Sequence, residues 1–243
     1  MIVLIITAVR IKSMDSHRIS GRILAENIAG PGMLRLVEQS MQARARKTSV
    51  TEIAVKERKH PQAALTFDDG PDIRYTPLLL DGLKERNVRV SFFLLGEKVE
   101  QYPELVERMQ KEGHLVGNHT YHHVQLNKLN ETKAREEILK TNNLIYETTG
   151  VYPLYLRPPF GAWKKNLELC VEMLPVFWTI DTLDWKVQNT EKIVRTVQEQ
   201  IEDGAIILMH DEYDTSVEAA LQVVDELKNQ GYEFVTVDQL ILP

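Results

Sequence analysis

The chain has 243 residues, 43% of them hydrophobic, so it is long enough to bury one sizeable core and carry an appendage. Its 29 basic and 35 acidic residues give a net charge of -6, which argues against nucleic acid as a partner. The single cysteine, Cys170, excludes an internal disulfide and a cysteine-rich zinc site.

Residues 1–60 are predicted to form an N-terminal extension with a short strand, a helix near 33–47 and a basic linker. They hold 11 Lys and Arg against 5 Asp and Glu, which leaves 18 against 30 for residues 61–243. This asymmetry indicates that the extension either docks on the acidic remainder or faces an anionic surface.

The apolar stretch 1–9 is well short of the ~20 residues that a membrane-spanning helix needs, so no transmembrane span is expected. No basic residue precedes it and no clear cleavage site follows it, so a signal peptide is poorly supported. Its β-branched residues favour a buried strand, with a truncated export signal as the alternative.

From residue 62 onward, short apolar runs alternate with stretches of helical periodicity. Strands are predicted near 63–67, 90–95, 115–117, 154–157, 175–180, 205–209 and 233–237. Helices are predicted near 76–87, 98–112, 130–149, 164–173, 190–203 and 215–230. Gly113, Gly150 and Gly231 follow helical stretches, as left-handed caps do. The alternation is typical of an α/β fold with a mostly parallel sheet, and seven strands suit an incomplete or distorted barrel.

Polar residues follow most of the predicted strands. They are Asp68 and Asp69 after the first strand, His119 after the third, Arg157 after the fourth, Asp181 and Asp184 after the fifth, and His210 after the sixth. Because chemistry in parallel α/β folds gathers at the carboxyl ends of the strands, these side chains are expected to converge on one rim.

His119 and His123 are spaced to bind one metal ion, with a carboxylate from Asp68-Asp69 as the third ligand. Of two adjacent carboxylates, one can ligate while the other stays free as a base. If the histidine segment makes a helical turn, both rings lie on one face, and Thr120 is a candidate to fix a ring. The alternatives are a solvated Asp-Asp-Gly-Pro turn and surface histidines.

Three further motifs can complete a catalytic site. Arg157 begins a rigid Arg-Pro-Pro-Phe-Gly segment and can pair with a carboxylate, or else form an ordinary surface ion pair. Asp184 can orient a histidine beside Trp185, or else the two are a helix cap and a core tryptophan. Leu208 can line a pocket and His210 can donate a proton, although core packing also accounts for both.

Together and in this order, the motifs resemble those of the NodB-homology polysaccharide deacetylases, carbohydrate esterase family 4, over residues 61–243. The resemblance implies a distorted (β/α)7 barrel and metal-dependent removal of acetyl groups from N-acetylated sugars. It also implies that Asp68 is the catalytic base, that His210 is the catalytic acid, and that Asp69, His119 and His123 bind the metal.

The remaining roles follow from the same resemblance. Arg157 is similar to the residue that tethers the base, and the Phe160 amide to an oxyanion donor. Asp184 resembles the carboxylate that tunes the catalytic acid, while Trp185 and Leu208 resemble pocket residues. The sequence departs from the family pattern at Val124, where proline is frequent, and at Phe160, where tyrosine is common.

The substrate expected first is peptidoglycan N-acetylglucosamine, followed by chitin oligosaccharides and acetylated xylan. Alternatives are a small amide or imide hydrolase on the same scaffold and a glycan-binding protein that has lost catalysis. Zinc suits two histidines and a carboxylate, with cobalt, nickel or manganese as substitutes. The resemblance favours the cell envelope or the extracellular space, and the oligomeric state is not predicted.

Overall fold

The computed structural model describes residues 60–163 and 173–241. The predicted N-terminal extension, apart from His60, and residues 164–172 of one predicted helix lie outside the described residues. Within these two ranges, no helix combines the length and the apolar character that crossing a membrane requires.

Strands and helices alternate along the described chain. The strands are β1 (Gln62–Asp68), β2 (Ser91–Leu94), β3 (Leu115–Asn118), β4 (Tyr155–Leu156), β5 (Leu174–Pro175), β6 (Ile180–Asp181), β7 (Ala205–His210) and β8 (Glu233–Phe234). The helices are α1 (Tyr75–Glu85), α2 (Gly96–Gln101), α3 (Pro103–Lys111), α4 (Glu131–Thr149), α5 (Asp184–Val187), α6 (Thr190–Gln200), α7 (Asp214–Asn229) and α8 (Val237–Ile241). Short 3-10 turns cover Leu126–Lys128 and Pro159–Gly161.

One parallel sheet runs in the order β5-β4-β3-β2-β1-β7-β6, with β8 paired to the start of β1. Every recorded strand pair is parallel, as the alternating pattern predicts. Within the described residues, β5 and β6 end this path and do not pair with each other. The sheet is therefore a curled, incomplete barrel.

The central strand β1 has packed neighbours on both faces. Leu65 and Phe67 belong to the large core that also contains residues of α1, α3, α6 and α7. Ala64 points the other way, into a smaller cluster with Phe93 and Val176. Since both faces are covered, β1 reads as a nearly continuous apolar run that ends at Asp68.

Two predicted elements are each divided in the structure. The helix expected near 98–112 is two helices, because Pro103 occupies the first turn of α3, a position that suits a residue without an N–H. The strand expected near 175–180 is also wrong as a single element. Its first part, β5, pairs with β4, whereas β6 pairs with β7.

Two further differences concern short elements. The strand expected near 233–237 ends at Phe234, and Val237 begins α8 instead. Helix α5, of four residues, carries too few positions for a periodic pattern and was not predicted. The three expected left-handed glycines are confirmed, with φ of 84° at Gly113, 71° at Gly150 and 88° at Gly231.

Candidate active site

The carboxyl ends of β1 and β7 bring together residues that are far apart in sequence. Asp68 and His210 are register partners on these neighbouring strands, and Thr66 and Leu208 are partners two positions earlier. Since side chains alternate along a strand, Thr66 and Asp68 face the same side of β1, as do Leu208 and His210 on β7. The expected convergence on one rim is therefore present for these strands.

Three side chains form a compact group suited to a metal ion. Asp69, His119 and His123 each offer one ligand atom, and these atoms lie within 4.8 Å of one another. Asp69 Oδ1 is 3.3 Å from His119 Nε2 and 3.4 Å from His123 Nε2. Two imidazole nitrogens and one carboxylate oxygen are a donor set typical of catalytic zinc.

The protonation of these groups also suits a cation. Burial would raise the pKa of Asp69, but the neighbouring histidines, His119 foremost, hold that pKa well below its usual range. Burial lowers the pKa of His123. An ionised carboxylate and a neutral imidazole are the forms that bind metal. Asp69 Oδ1 is buried and accepts no hydrogen bond from the described residues, so it lacks the partner that a cation would provide.

The His119 ring is held by a backbone carbonyl. His119 Nδ1 lies 2.6 Å from the carbonyl oxygen of Arg157, and because that oxygen can only accept, Nδ1 donates. The lone pair of the neutral ring is then on Nε2, which faces Asp69. This contact fixes both the tautomer and the direction of the ring.

The histidine segment is a loop and not the helical turn considered from the spacing. Thr120 and His123 have φ of 67° and 54°, in the left-handed region. The loop still brings the two rings to 5.1 Å between centroids. The Thr120 hydroxyl accepts from the Val124 amide, so its bond serves the loop, while the Arg157 carbonyl orients the His119 ring. The neighbouring His122 is largely exposed and pairs with Glu137 instead of joining the group.

Asp68 is held by a fully buried arginine. Arg157 Nη1 donates to Asp68 Oδ1 at 2.8 Å and to Thr66 Oγ1 at 2.6 Å. Its guanidinium lies over the Phe93 ring at 4.2 Å. Burial lowers the pKa of Arg157 and the charge of Asp68 opposes that effect. The pair is thus an internal tether, and the alternative of a surface ion pair at Arg157 is wrong.

His210 is held by a buried carboxylate. Asp184 Oδ1 lies 2.8 Å from His210 Nδ1, while Asp184 Oδ2 accepts from the His210 amide at 2.8 Å and from Ser216 Oγ at 2.7 Å. Burial disfavours the charged imidazole, but Asp184 outweighs it and raises the pKa of His210 to about 9. The protonated form, with Nε2 toward the cavity, is able to donate a proton.

The side chains of Asp69, His119 and His123 line a cavity of about 490 Å³. Its walls include the predicted residues Asp68, Asp69, His119, His123, Phe160, Trp185, Leu208 and His210. Phe160, with φ of 59°, also places its ring 4.5 Å from that of His123, so its side chain shapes the rim as well as its backbone. Arg157 and Asp184 lie behind the wall and contact the cavity residues from the interior.

Four wall residues were not assigned a role from the sequence: Trp178, Asp181, Glu212 and Tyr213. Asp181 was expected on this rim without an individual role, and its place in the wall agrees with that expectation. Glu212 stands two residues from His210 in the sequence, and that proximity is the signal that points to it. Trp178 lies between β5 and β6 within a run that reads as one apolar strand, so no pattern distinguishes it from core.

Comparison with known proteins identifies the family. The model of the polysaccharide deacetylase family matches residues 55–176. The chain belongs to this family. It is 42% identical over 185 residues to peptidoglycan-N-acetylglucosamine deacetylase PgdA of Listeria monocytogenes. The matched region is 76% of this chain but only 40% of that protein. It is 40% identical over 186 residues to the peptidoglycan-N-acetylglucosamine deacetylase of Bacillus cereus, covering 74% of this chain and 68% of that one.

A solved structure supports the same assignment. The peptidoglycan deacetylase PdaC of Bacillus subtilis superimposes with a TM-score of 0.73 at 41% identity, over 75% of this chain and 91% of that one. The expected resemblance to carbohydrate esterase family 4 polysaccharide deacetylases and the (β/α)7 type of fold are therefore confirmed.

Proposed function

We propose that this chain is a metal-dependent hydrolase that removes N-acetyl groups from N-acetylglucosamine in peptidoglycan. The observation that carries the proposal is the cluster of Asp69, His119 and His123 beside Asp68, which is tethered by Arg157. The relatives named above, which are called peptidoglycan deacetylases, support the substrate class.

Asp69, His119 and His123 would hold the metal, and zinc is proposed first for two imidazoles and a carboxylate, ahead of cobalt, nickel or manganese. When bound, such an ion supplies Lewis acidity and makes water easier to deprotonate. The protein prepares its side of the site through the ionised Asp69 and the Nε2 lone pair of His119.

Proton transfer is assigned to two residues on adjacent strands. Asp68 Oδ1 is occupied by Arg157, which leaves Oδ2 to take a proton from the attacking water. Protonated His210 gives its Nε2 proton to the departing sugar amine, and Asp184 stabilises the charged ring from behind. Water thereby adds to the acetyl carbon, the C–N bond breaks, and acetate and a free amine result.

The acetyl group and the sugar are assigned to the cavity wall. Leu208, on β7, is largely buried and offers an apolar side chain to the cavity, against which the acetyl methyl group is proposed to pack. The Phe160 amide is proposed to donate to the developing oxyanion. Trp185 is 49% exposed and Phe160 62% exposed at the rim, so two aromatic faces are open to a sugar chain.

The exposed rim of the cavity favours a polymeric substrate. The alternative substrate, a small cyclic or linear amide, would suit a closed site. A glycan-binding protein without catalysis is disfavoured, because the base, the acid and all three proposed ligands are present together. An envelope or extracellular location is proposed only because peptidoglycan is found there.

Acetate release tests the proposal. The purified chain, loaded with zinc, is incubated with N-acetylated peptidoglycan, chitin oligosaccharides, acetylated xylan and a set of small imides. We expect acetate from peptidoglycan, loss of release after chelation, and none from the Asp68→Asn variant at equal zinc content. Release from the small imides alone would contradict the substrate class, and tight glycan binding without release from any substrate would favour the non-catalytic alternative.

A further inference from the structure

The loop that carries both ligand histidines has a backbone that its own sequence does not favour. Thr120 and His123 adopt φ of 67° and 54°, a region that non-glycine residues rarely occupy. Such a conformation persists only where surrounding contacts fix it. The position of the His123 ring therefore depends on what holds the residues between the two histidines.

The carbonyl side of the loop is fixed by the chain that follows β2. The Gly96 amide donates to the Thr120 carbonyl at 2.9 Å, and the Glu97 amide donates to the Tyr121 carbonyl at 3.3 Å. At the start of the loop, the Thr120 amide donates to Asn118 Oδ1 at 2.6 Å. None of these contacts provides a hydrogen-bond acceptor for the backbone amides of Tyr121 and His122.

Glu137 on α4 satisfies both amides. Its Oε2 accepts from the Tyr121 amide at 3.0 Å and from the His122 amide at 2.9 Å. Its Oε1 lies 2.8 Å from His122 Nδ1. The Glu137 side chain is only 16% exposed, so these hydrogen bonds are largely shielded from competing water. One carboxylate thus spans the middle of the loop, between the two ligands.

We propose that Glu137 is a positioning residue that holds the His119–His123 loop in the conformation that binds the metal. The inference rests on the proposed function, because it takes His119 and His123 as ligands. Glu137 contacts the backbone between the ligands and not the ligand atoms, so it acts through the loop alone. When the hydrogen bonds from Glu137 to the two backbone amides are lost, the left-handed backbone is free to relax and the His123 ring can move away from Asp69.

Zinc affinity of the whole 243-residue chain, prepared without metal, measures this role directly. Contacts that orient metal ligands are worth about 10- to 100-fold in affinity, so Glu137→Ala is expected to weaken zinc binding by that factor. The matched control is Glu136→Ala, which removes an exposed glutamate from the adjacent position of the same helix. We expect the control to bind zinc as the unchanged chain does, in competition with a chromophoric chelator.

Two conservative variants separate hydrogen bonding from charge. Glu137→Gln keeps an oxygen that can accept from both amides but loses the charge, so it is expected to lose less than tenfold in affinity. Glu137→Asp keeps the charge but has a shorter side chain, so it is expected to bind zinc more weakly than Glu137→Gln. In addition, the kcat of Glu137→Asp should recover at saturating zinc, since no catalytic group is altered.

Equal zinc affinity of folded Glu137→Ala and Glu136→Ala would overturn the inference. If Glu137→Ala does not fold, the zinc affinities of Glu137→Gln and Glu137→Asp decide. Glu137→Asp binding zinc as tightly as Glu137→Gln would then overturn the inference. These results leave the proposed function standing as long as the unchanged chain binds zinc and releases acetate. A chain that binds no zinc would overturn both.

Discussion

Asp68 and His210 are register partners, side by side at the carboxyl ends of the adjacent parallel strands β1 and β7. Each is held by a different buried residue, Asp68 by Arg157 and His210 by Asp184. In the proposed reaction one side chain takes a proton and the other gives one. Because separate contacts prepare them, substitutions behind the cavity wall are expected to impair each function independently.

Arg157→Ala should be among the most damaging single changes in the described core. It leaves the carboxylate of Asp68 buried without its cation, and breaking such a buried pair costs about 3–5 kcal/mol. Lys111→Ala is the control, since it breaks an exposed pair with Glu107 on the same helix that contributes about 1 kcal/mol or less. Urea unfolding measures both. Equal losses for the two variants would contradict the tether at Arg157.

Asp184→Asn should reduce turnover by about 100- to 10,000-fold, because His210 loses the negative charge that favours its protonated ring. Ser216→Ala removes only one hydrogen bond to the same carboxylate and keeps the charge, so its effect should be much smaller. Both variants are expected to bind zinc normally. Measured kcat and zinc content check this, and a fully active Asp184→Asn would exclude the assigned role.

Gly70→Ala is expected to destabilise the turn that carries Asp68 and Asp69. A Cβ at residue 70 would lie 2.5 Å from Asp211 Oδ1, and Asp211 is completely buried. Crowding of this kind costs roughly 1–3 kcal/mol. In the Gly70→Ala/Asp211→Ala double variant the clash is gone. The unfolding free energy lost by the double variant should therefore be smaller than the sum of the losses of the two single variants. Simple additivity in urea unfolding would show that the two residues do not interact.

His114 is expected to make stability depend on pH. Burial lowers the pKa of its imidazole from 6.5 to about 4, with Arg89 and Arg108 acting in the same direction and Glu112 against it. Between these values the unfolded chain takes up a proton that the folded protein does not. The contribution of His114 is therefore complete above pH 6.5 and is lost as the pH falls toward 4, by roughly 3 kcal/mol.

His114→Asn isolates this effect, since its amide oxygen can still accept from the Val90 amide as His114 Nδ1 does. Burial raises the pKa of Asp211 to about 7, so the contribution of Asp211 to stability falls as the pH rises toward 7. In the unchanged chain this opposes the pH dependence that His114 causes, but it is the same in both chains and cancels when they are compared. The difference in unfolding free energy between the two chains should therefore shrink from pH 7 to pH 4. A constant difference would exclude titration of His114 as the cause.

The positions of most strands along the chain and the shared rim could be predicted from the sequence, because buried parallel strands read as apolar runs that end at polar residues. Breaks inside elements were harder to place. The run near 175–180 joins two strands whose separate partners, β4 and β7, are distant in the chain. Periodicity reports the burial of a residue and not the strand beside it.

Contacts that act at a distance along the chain were also missed. Glu137 is one of several glutamates on a polar helix, and only the folded loop shows that it accepts from the amides of Tyr121 and His122. The left-handed conformation of Thr120 is likewise imposed by the surroundings, since a β-branched residue rarely adopts it. Spacing alone therefore indicated that the two histidines could meet, but not how.

Zinc content and acetate release, measured together on His119→Ala and Asp68→Asn, test the central claim most directly. His119 is a proposed ligand and Asp68 the proposed base, although Asp68 Oδ2 lies only 3.7 Å from His119 Nε2. We predict that His119→Ala loses zinc, whereas Asp68→Asn retains it and releases no acetate. A His119→Ala protein with full zinc content and full activity would contradict the account.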